Sequence, residues 1–91
     1  MTVLDELADK ALAVCEHKGW KRGWLEGGCY LHLEVSEFIE ALRGKGSNSP
    51  TEEAADVLFV LLSMCKAQGI DLEEVRRYFH KRCDGLLEAV L

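Results

Sequence analysis

Apolar residues recur every three or four positions along most of the chain, and the breaks between these stripes fall at glycine, proline and serine. That spacing is the helical one. Leu4, Leu7, Ala8, Ala11, Leu12 and Cys15 form the first stripe and predict a helix from about Thr2 to about His17. Lys18 to Trp24, followed by Gly27-Gly28, reads as a loop carrying two tryptophans and three cations. The pattern resumes near Cys29 and ends near Arg43, with Gly44 and Gly46 as stop signals. Ser49-Pro50-Thr51-Glu52 then offers an N-cap serine, a proline at the first helical position and a glutamate placed to close a capping box. This third helix reaches Gln68 and stops at Gly69. Asp71 and Glu74 repeat the device for a fourth helix, with Ile70 and Val75 spaced for a hydrophobic staple. Its apolar positions are Leu72, Val75, Phe79, Cys83, Leu86 and Val90. Nothing alternates as a strand would. The expected fold class is all-α: one domain over residues 1–91, shaped as a four-helix-bundle-like subunit.

Size sharpens this picture. A chain of 91 residues buries only about 60–65% of its unfolded surface, so its stability calls for well-packed helices or associating subunits. The net charge of −5 argues against nucleic acid, which calls for a basic face. It does not argue against polyphosphate, provided a metal cation stands between the two negative partners. The longest apolar run, Val57 to Leu62, is too short to span a bilayer. Met1 to Lys10 carries three acids and no basic region of the kind a signal peptide has. The four cysteines contain no C-x-x-C pair and read as free thiols of a cytoplasmic protein.

Two pairs of acids occupy positions where the helical pattern calls for apolar residues. Glu34 and Glu37 lie three apart on the second helix, in a stripe with Tyr30, Leu33 and Ala41. Glu53 and Asp56 repeat the spacing on the third, in a stripe that continues as Val57, Val60 and Met64. The third helix is apolar nearly all round from Val57 to Leu62 and should be central. Burying several unpaired carboxylates together is costly and pushes their pKa values up. A hard divalent cation with oxygen ligands removes that cost, and Mg²⁺ is the natural candidate. Glu40, Glu52, Glu73 and Glu88, by contrast, read as solvated surface charges.

With those residues in view, the chain resembles the MazG-like branch of the all-alpha NTP pyrophosphatases. The resemblance is carried by Leu33-Glu34-Val35-Ser36-Glu37-Phe38-Ile39-Glu40-Ala41-Leu42 and by Glu52-Glu53-Ala54-Ala55-Asp56-Val57-Leu58. Together they give E-x-x-E, fifteen intervening residues and E-x-x-D. The run Gly69 to Val75 adds to it, and the likeness spans roughly residues 24 to 82. It implies Mg²⁺-dependent hydrolysis of a (deoxy)nucleoside triphosphate to monophosphate and pyrophosphate, in nucleotide-pool housekeeping, with Mn²⁺ a possible substitute. Glu34, Glu37, Glu53 and Asp56 match the family's metal ligands, with Glu37 and Glu53 the candidate catalytic residues and Glu37 the favoured proton acceptor. The resemblance also implies a homodimer or homotetramer, whose partners complete the core, and phosphate contacts from the last helix. Lys81 stands near the expected place, but Asp84 and Gly85 stand where further cations would fall. A non-catalytic helical module binding nucleotide or protein is the competing reading.

The remaining candidates are substrate contacts. Trp20 and Trp24 suit either a base-stacking platform or an anchor of the loop against the bundle, with Trp24 favoured because it lies nearer the metal helix. Lys18, Lys21 and Arg22 are either solvated loop charges or partners of the triphosphate. Cys29 with His32 and His80 with Cys83 have helical spacing that would suit a tetrahedral Zn²⁺ site, or else are buried thiols beside exposed histidines.

Overall fold

The computed structural model describes residues 2–90, with side chains to residue 88. It contains four helices, α1 (Val3–Lys18), α2 (Trp24–Leu42), α3 (Pro50–Ala67) and α4 (Leu72–Val90), and among the described residues no strand. The architecture is all-α and four-helix-bundle-like. Among the described residues no helix is long and apolar enough to cross a membrane.

Local chemistry explains where the helices start. Ser49 accepts from the Glu52 N–H while the Glu52 carboxylate accepts from the Ser49 N–H, the reciprocal box expected from Ser-Pro-Thr-Glu. The same box, unforeseen, opens α1 between Thr2 and Asp5. Asp71 caps α4 through its own carboxylate, which accepts from the N–H groups of Glu73 at 2.9 Å and Glu74 at 3.4 Å. Ile70 and Val75 stay 46% and 41% exposed, so the expected staple is only partly closed.

The second helix begins five residues earlier than expected, at Trp24 rather than Cys29. The pair Gly27-Gly28 reads as a break but lies inside the helix, for a packing reason. A Cβ on Gly27 would sit 2.8 Å from the Cγ of Met64, so the bare glycine lets α2 press directly on α3. Gly28 faces open space.

As expected, α3 is central: it packs against α2 on one side and α1 on the other. On the α1 side Ala8, Leu62 and Leu72 form a small core, with Leu4 and Cys65 against it. Lys66 Nζ and Asp9 Oδ1 meet at 2.8 Å across its edge. On the α2 side Gly27 faces Met64 and Glu37 faces Glu53, so rising numbers on one helix meet falling numbers on the other. The two helices are antiparallel. Helix α4 departs from the pattern, because only its start is held by the core. Its residues Phe79, Leu86 and Leu87 are each more than 60% exposed.

Candidate metal centre and flanking recesses

The antiparallel register of α2 and α3 brings the two acidic pairs face to face. One oxygen from each of Glu34, Glu37 and Glu53 lies within 4.8 Å of the others. Asp56, one turn beyond Glu53, is outside this triplet but close enough to Glu34 to influence its ionisation. The expected quartet is therefore three gathered carboxylates and one adjoining. Burial grades across them: Glu53 is 4% exposed, Glu34 is half-buried, and Glu37 and Asp56 face solvent. The expectation that all four sit on inward faces is corrected accordingly. The cluster lies at the rim of the α2–α3 seam, where its outer members stay wet.

Its inner members are held in a way that leaves them short of partners. The loop between α2 and α3 turns at Gly44 and Gly46, both at positive φ, and delivers Asn48 to the cluster. Asn48 Nδ2 donates to Glu53 Oε1 at 2.8 Å. The other oxygen, Glu53 Oε2, is buried with no donor, and so is Glu34 Oε2. An unsatisfied buried charged oxygen costs several kcal/mol in rough terms. The described ion pairs, Arg43–Glu40, Lys66–Asp9 and Arg76–Glu73, leave all four residues without a cation. The Glu34 carboxyl is accordingly raised above its usual range, first by burial and then by the charges of Glu37, Asp56 and Glu53.

A recess opens on each side of the cluster. One, of about 320 Å³, is walled by Trp20, Tyr30, Phe59 and Arg22 and shares Glu34 and Asp56 with the cluster. The other, of about 410 Å³, is walled by Ser36 and by Lys45, Ser47 and Asn48 of the α2–α3 loop and shares Glu37 and Glu53. The carboxylates thus stand between an aromatic chamber and a polar one.

Other expected contacts fall in different places. Trp20 lines the aromatic recess, whereas Trp24, the favoured tryptophan, heads α2 at 78% exposed and lines neither recess. The preference between them is reversed. Lys18 and Lys21 line neither recess. Arg22, grouped with them as a loop charge, is instead 7% exposed. Lys81 lies on α4 beside Tyr78, away from the carboxylates, because α4 leaves the α2–α3 seam. The Cys29/His32 and His80/Cys83 pairs do not converge: among the described residues the glutamate triplet is the only ligand cluster. All four cysteines are free.

Sequence reasoning named Arg22 only as a loop charge or triphosphate partner, and missed Tyr30, Phe59, Lys45 and Asn48. A signal existed for two of them. Tyr30 lies four residues before Glu34 and Phe59 three after Asp56, so each shares a helix face with an acid already singled out. Asn48 reaches Glu53 from outside any helix, which periodicity cannot register.

The sequence profile of the phosphoribosyl-ATP pyrophosphohydrolase family matches residues 29–83. That stretch holds all four acids, Lys45 and Asn48, and leaves Trp20 and Arg22 outside. No curated protein and no solved structure matches the chain.

Proposed function

The chain belongs to the phosphoribosyl-ATP pyrophosphohydrolase family, within the all-alpha NTP pyrophosphatase (MazG-like) superfamily, and from that premise we propose that it is a Mg²⁺-dependent pyrophosphohydrolase of nucleoside triphosphates. The observation that carries the metal is the meeting of Glu34, Glu37 and Glu53 within 4.8 Å, with two buried oxygens lacking donors. An all-oxygen set of this kind fits Mg²⁺, or Mn²⁺ in its place. Glu34, Glu37, Glu53 and Asp56 would hold it. Bound there, the cation supplies the positive charge that lets a polyphosphate approach four carboxylates and makes water at the site more acidic.

The chain's own groups account for the rest. Glu37, the exposed member of the triplet, takes a proton at its carboxylate from the attacking water. Glu53 is oriented by Asn48. Water adds at the α-phosphorus, the bond from that phosphorus to the bridging oxygen breaks, and the oxygen leaves with pyrophosphate. Lys45 in the polar recess meets the leaving charge, and the aromatic recess with Trp20, Tyr30 and Phe59 takes the base. The substrates in view are the common (deoxy)nucleoside triphosphates and phosphoribosyl-ATP, the nucleotide in the family's description. A second copy of the chain covers the exposed apolar positions of α4, giving a homo-oligomer.

The direct test is release of pyrophosphate from each of these nucleotides with and without Mg²⁺. Turnover of at least one, lost in Glu53→Gln, is expected. No pyrophosphate from any of them, or a rate untouched by that substitution, removes the proposal.

A further inference from the structure

The aromatic recess has a cation built into its wall. Arg22 leaves the α1–α2 loop and passes almost wholly out of solvent. Its Nε donates to Ser63 Oγ at 2.9 Å and its Nη1 to the Lys21 carbonyl at 3.2 Å. Ser63, itself fully buried, turns its hydroxyl proton to the Val60 carbonyl at 2.9 Å, which leaves its oxygen free to accept from Arg22. Three rings enclose the guanidinium carbon, with centroids at 5.3 Å for Tyr30, 5.8 Å for Trp20 and 5.9 Å for Phe59. The Arg22 carbonyl is tied to Gln68 Nε2 at 3.4 Å. This is a fixed cation, not a loop charge.

Two of its features point to a ligand. No described carboxylate lies within ion-pair reach of it, although Glu34 and Asp56 line the same recess. Its Nη2 makes no hydrogen bond to the described residues and is not among the buried atoms without a partner, so it meets solvent in the recess. A guanidinium held this firmly, with one nitrogen open to the recess, is arranged to donate to an acceptor that displaces water there. Its place along α3 fixes which part of a nucleotide that is. Ser63, its anchor, lies seven residues beyond Asp56, about 10 Å at the helical rise of ~1.5 Å per residue. A nucleotide whose phosphates sit at the carboxylates reaches that point with the far edge of its base.

We propose that Arg22 is a specificity-determining residue that selects nucleotides carrying an acceptor oxygen at the far end of the base. The inference rests on the pyrophosphohydrolase reading, which places the phosphates at the carboxylates. Two sources supply such an oxygen. Guanine and uracil or thymine present a keto group there. A phosphoribosyl-substituted adenine carries a second phosphate, one ribose farther out, which reaches Arg22 when the base sits nearer the carboxylates. Unmodified adenine and cytosine present an amino group, a donor facing a donor, and a site built to pair with an acceptor rejects the ligand that lacks one.

The experiment is a fluorescence titration of Trp20 and Trp24 in the full chain, with Mg²⁺ present, using AMP, GMP, UMP and phosphoribosyl-AMP. GMP and UMP, or phosphoribosyl-AMP, should bind about tenfold or more tighter than AMP, the effect of one charge-assisted hydrogen bond. Whether GMP and UMP or phosphoribosyl-AMP exceeds AMP identifies the source. Arg22→Met should bring the ratio toward one, and Arg22→Lys, which keeps a cation among the rings but loses the fork, should fall between. Equal affinity for AMP and all three others in the unaltered chain overturns the proposal without any variant having to fold. A ratio unchanged in both variants also overturns it. The readout is binding, so it separates from the reaction: discrimination without pyrophosphate release removes the reaction and keeps this inference, and turnover with a flat ratio does the reverse.

Discussion

Replacing Glu34 by Gln should make the metal-free protein more stable and the metal-loaded protein less so. Glu34 takes part in two of the three pairings of the triplet, whose oxygens lie within 4.8 Å. Two unit charges at that separation repel by about 3.5 kcal/mol at an effective dielectric of ~20 and about 0.9 kcal/mol if water screens them fully. Because Glu37 is exposed, the effective value lies toward the screened end, and losing both pairings should stabilise by roughly 1–3 kcal/mol. The amide also removes a buried charged oxygen that has no donor. For a domain of this size each kcal/mol moves Tm by about 4–8 °C. The pH dependence follows from the sign of the shift. Glu34 titrates above its usual value, so the folded chain holds that proton more tightly than the unfolded one. Stability is then full below the ordinary glutamate pKa and falls as pH rises through the raised value. The variant should lack that fall, and its advantage should grow across this window and level off above it. Mg²⁺ reverses the order: at a hundred times its Kd it adds about 2.7 kcal/mol to the unaltered chain, and the variant should lose most of that gain. Thermal melts at one protein concentration, from pH 4 to 8 with and without Mg²⁺, measure all of this. A variant that melts with the unaltered chain in the absence of metal, or that keeps the full Mg²⁺ gain, would show that the carboxylates neither strain one another nor share a cation.

Three further outcomes are expected. Asn48→Ala deprives Glu53 Oε1 of its donor and should weaken the Mg²⁺ requirement's midpoint by about 10–100-fold, read from rate against Mg²⁺ concentration; an unmoved midpoint refutes the positioning role. Gly27→Ala drives a Cβ against Met64 and should cost about 1 kcal/mol net of the helix-propensity gain, while Gly28→Ala, facing open space, should add about 0.5–1 kcal/mol. Urea unfolding of the two variants compares them, and equal shifts would mean the helices do not touch there. Phe79→Glu on the exposed face of α4 should weaken self-association by roughly a hundredfold or more in sedimentation equilibrium, and an unchanged mass would free that face from any interface.

The helices and the acids could be read from the sequence because each leaves a periodic trace within one element. Ser49-Pro50-Thr51-Glu52 announces its own cap, and Glu34 and Glu37 stand out because they interrupt an apolar stripe. What could not be read depends on pairs distant in sequence. Gly27 looks like a helix breaker until Met64 is opposite it. Arg22 looks like one loop cation among three until Ser63, forty-one positions away, accepts its Nε. Trp24 and Trp20 are indistinguishable by composition, and only the early start of α2 turns one into solvent and leaves the other in the recess. Lys81 shows the same limit, because spacing places it on a helix but does not say which way that helix leaves the bundle.

That departure of α4 has a consequence for how the chain holds its shape. Helices α1 to α3 order one another within a single molecule, whereas α4 carries Tyr78, Phe79, Leu86 and Leu87 into water and owes little to the seams that stabilise the rest. A helix of nineteen residues draws only marginal stability from its own backbone. Under the proposed homo-oligomer its order becomes a matter of mass action, set by how many copies are at hand rather than by the packing of any one. Amide exchange along residues 76–88 should slow as protein concentration rises while exchange along α3 changes far less, which would make that stretch a gauge of the chain's own abundance.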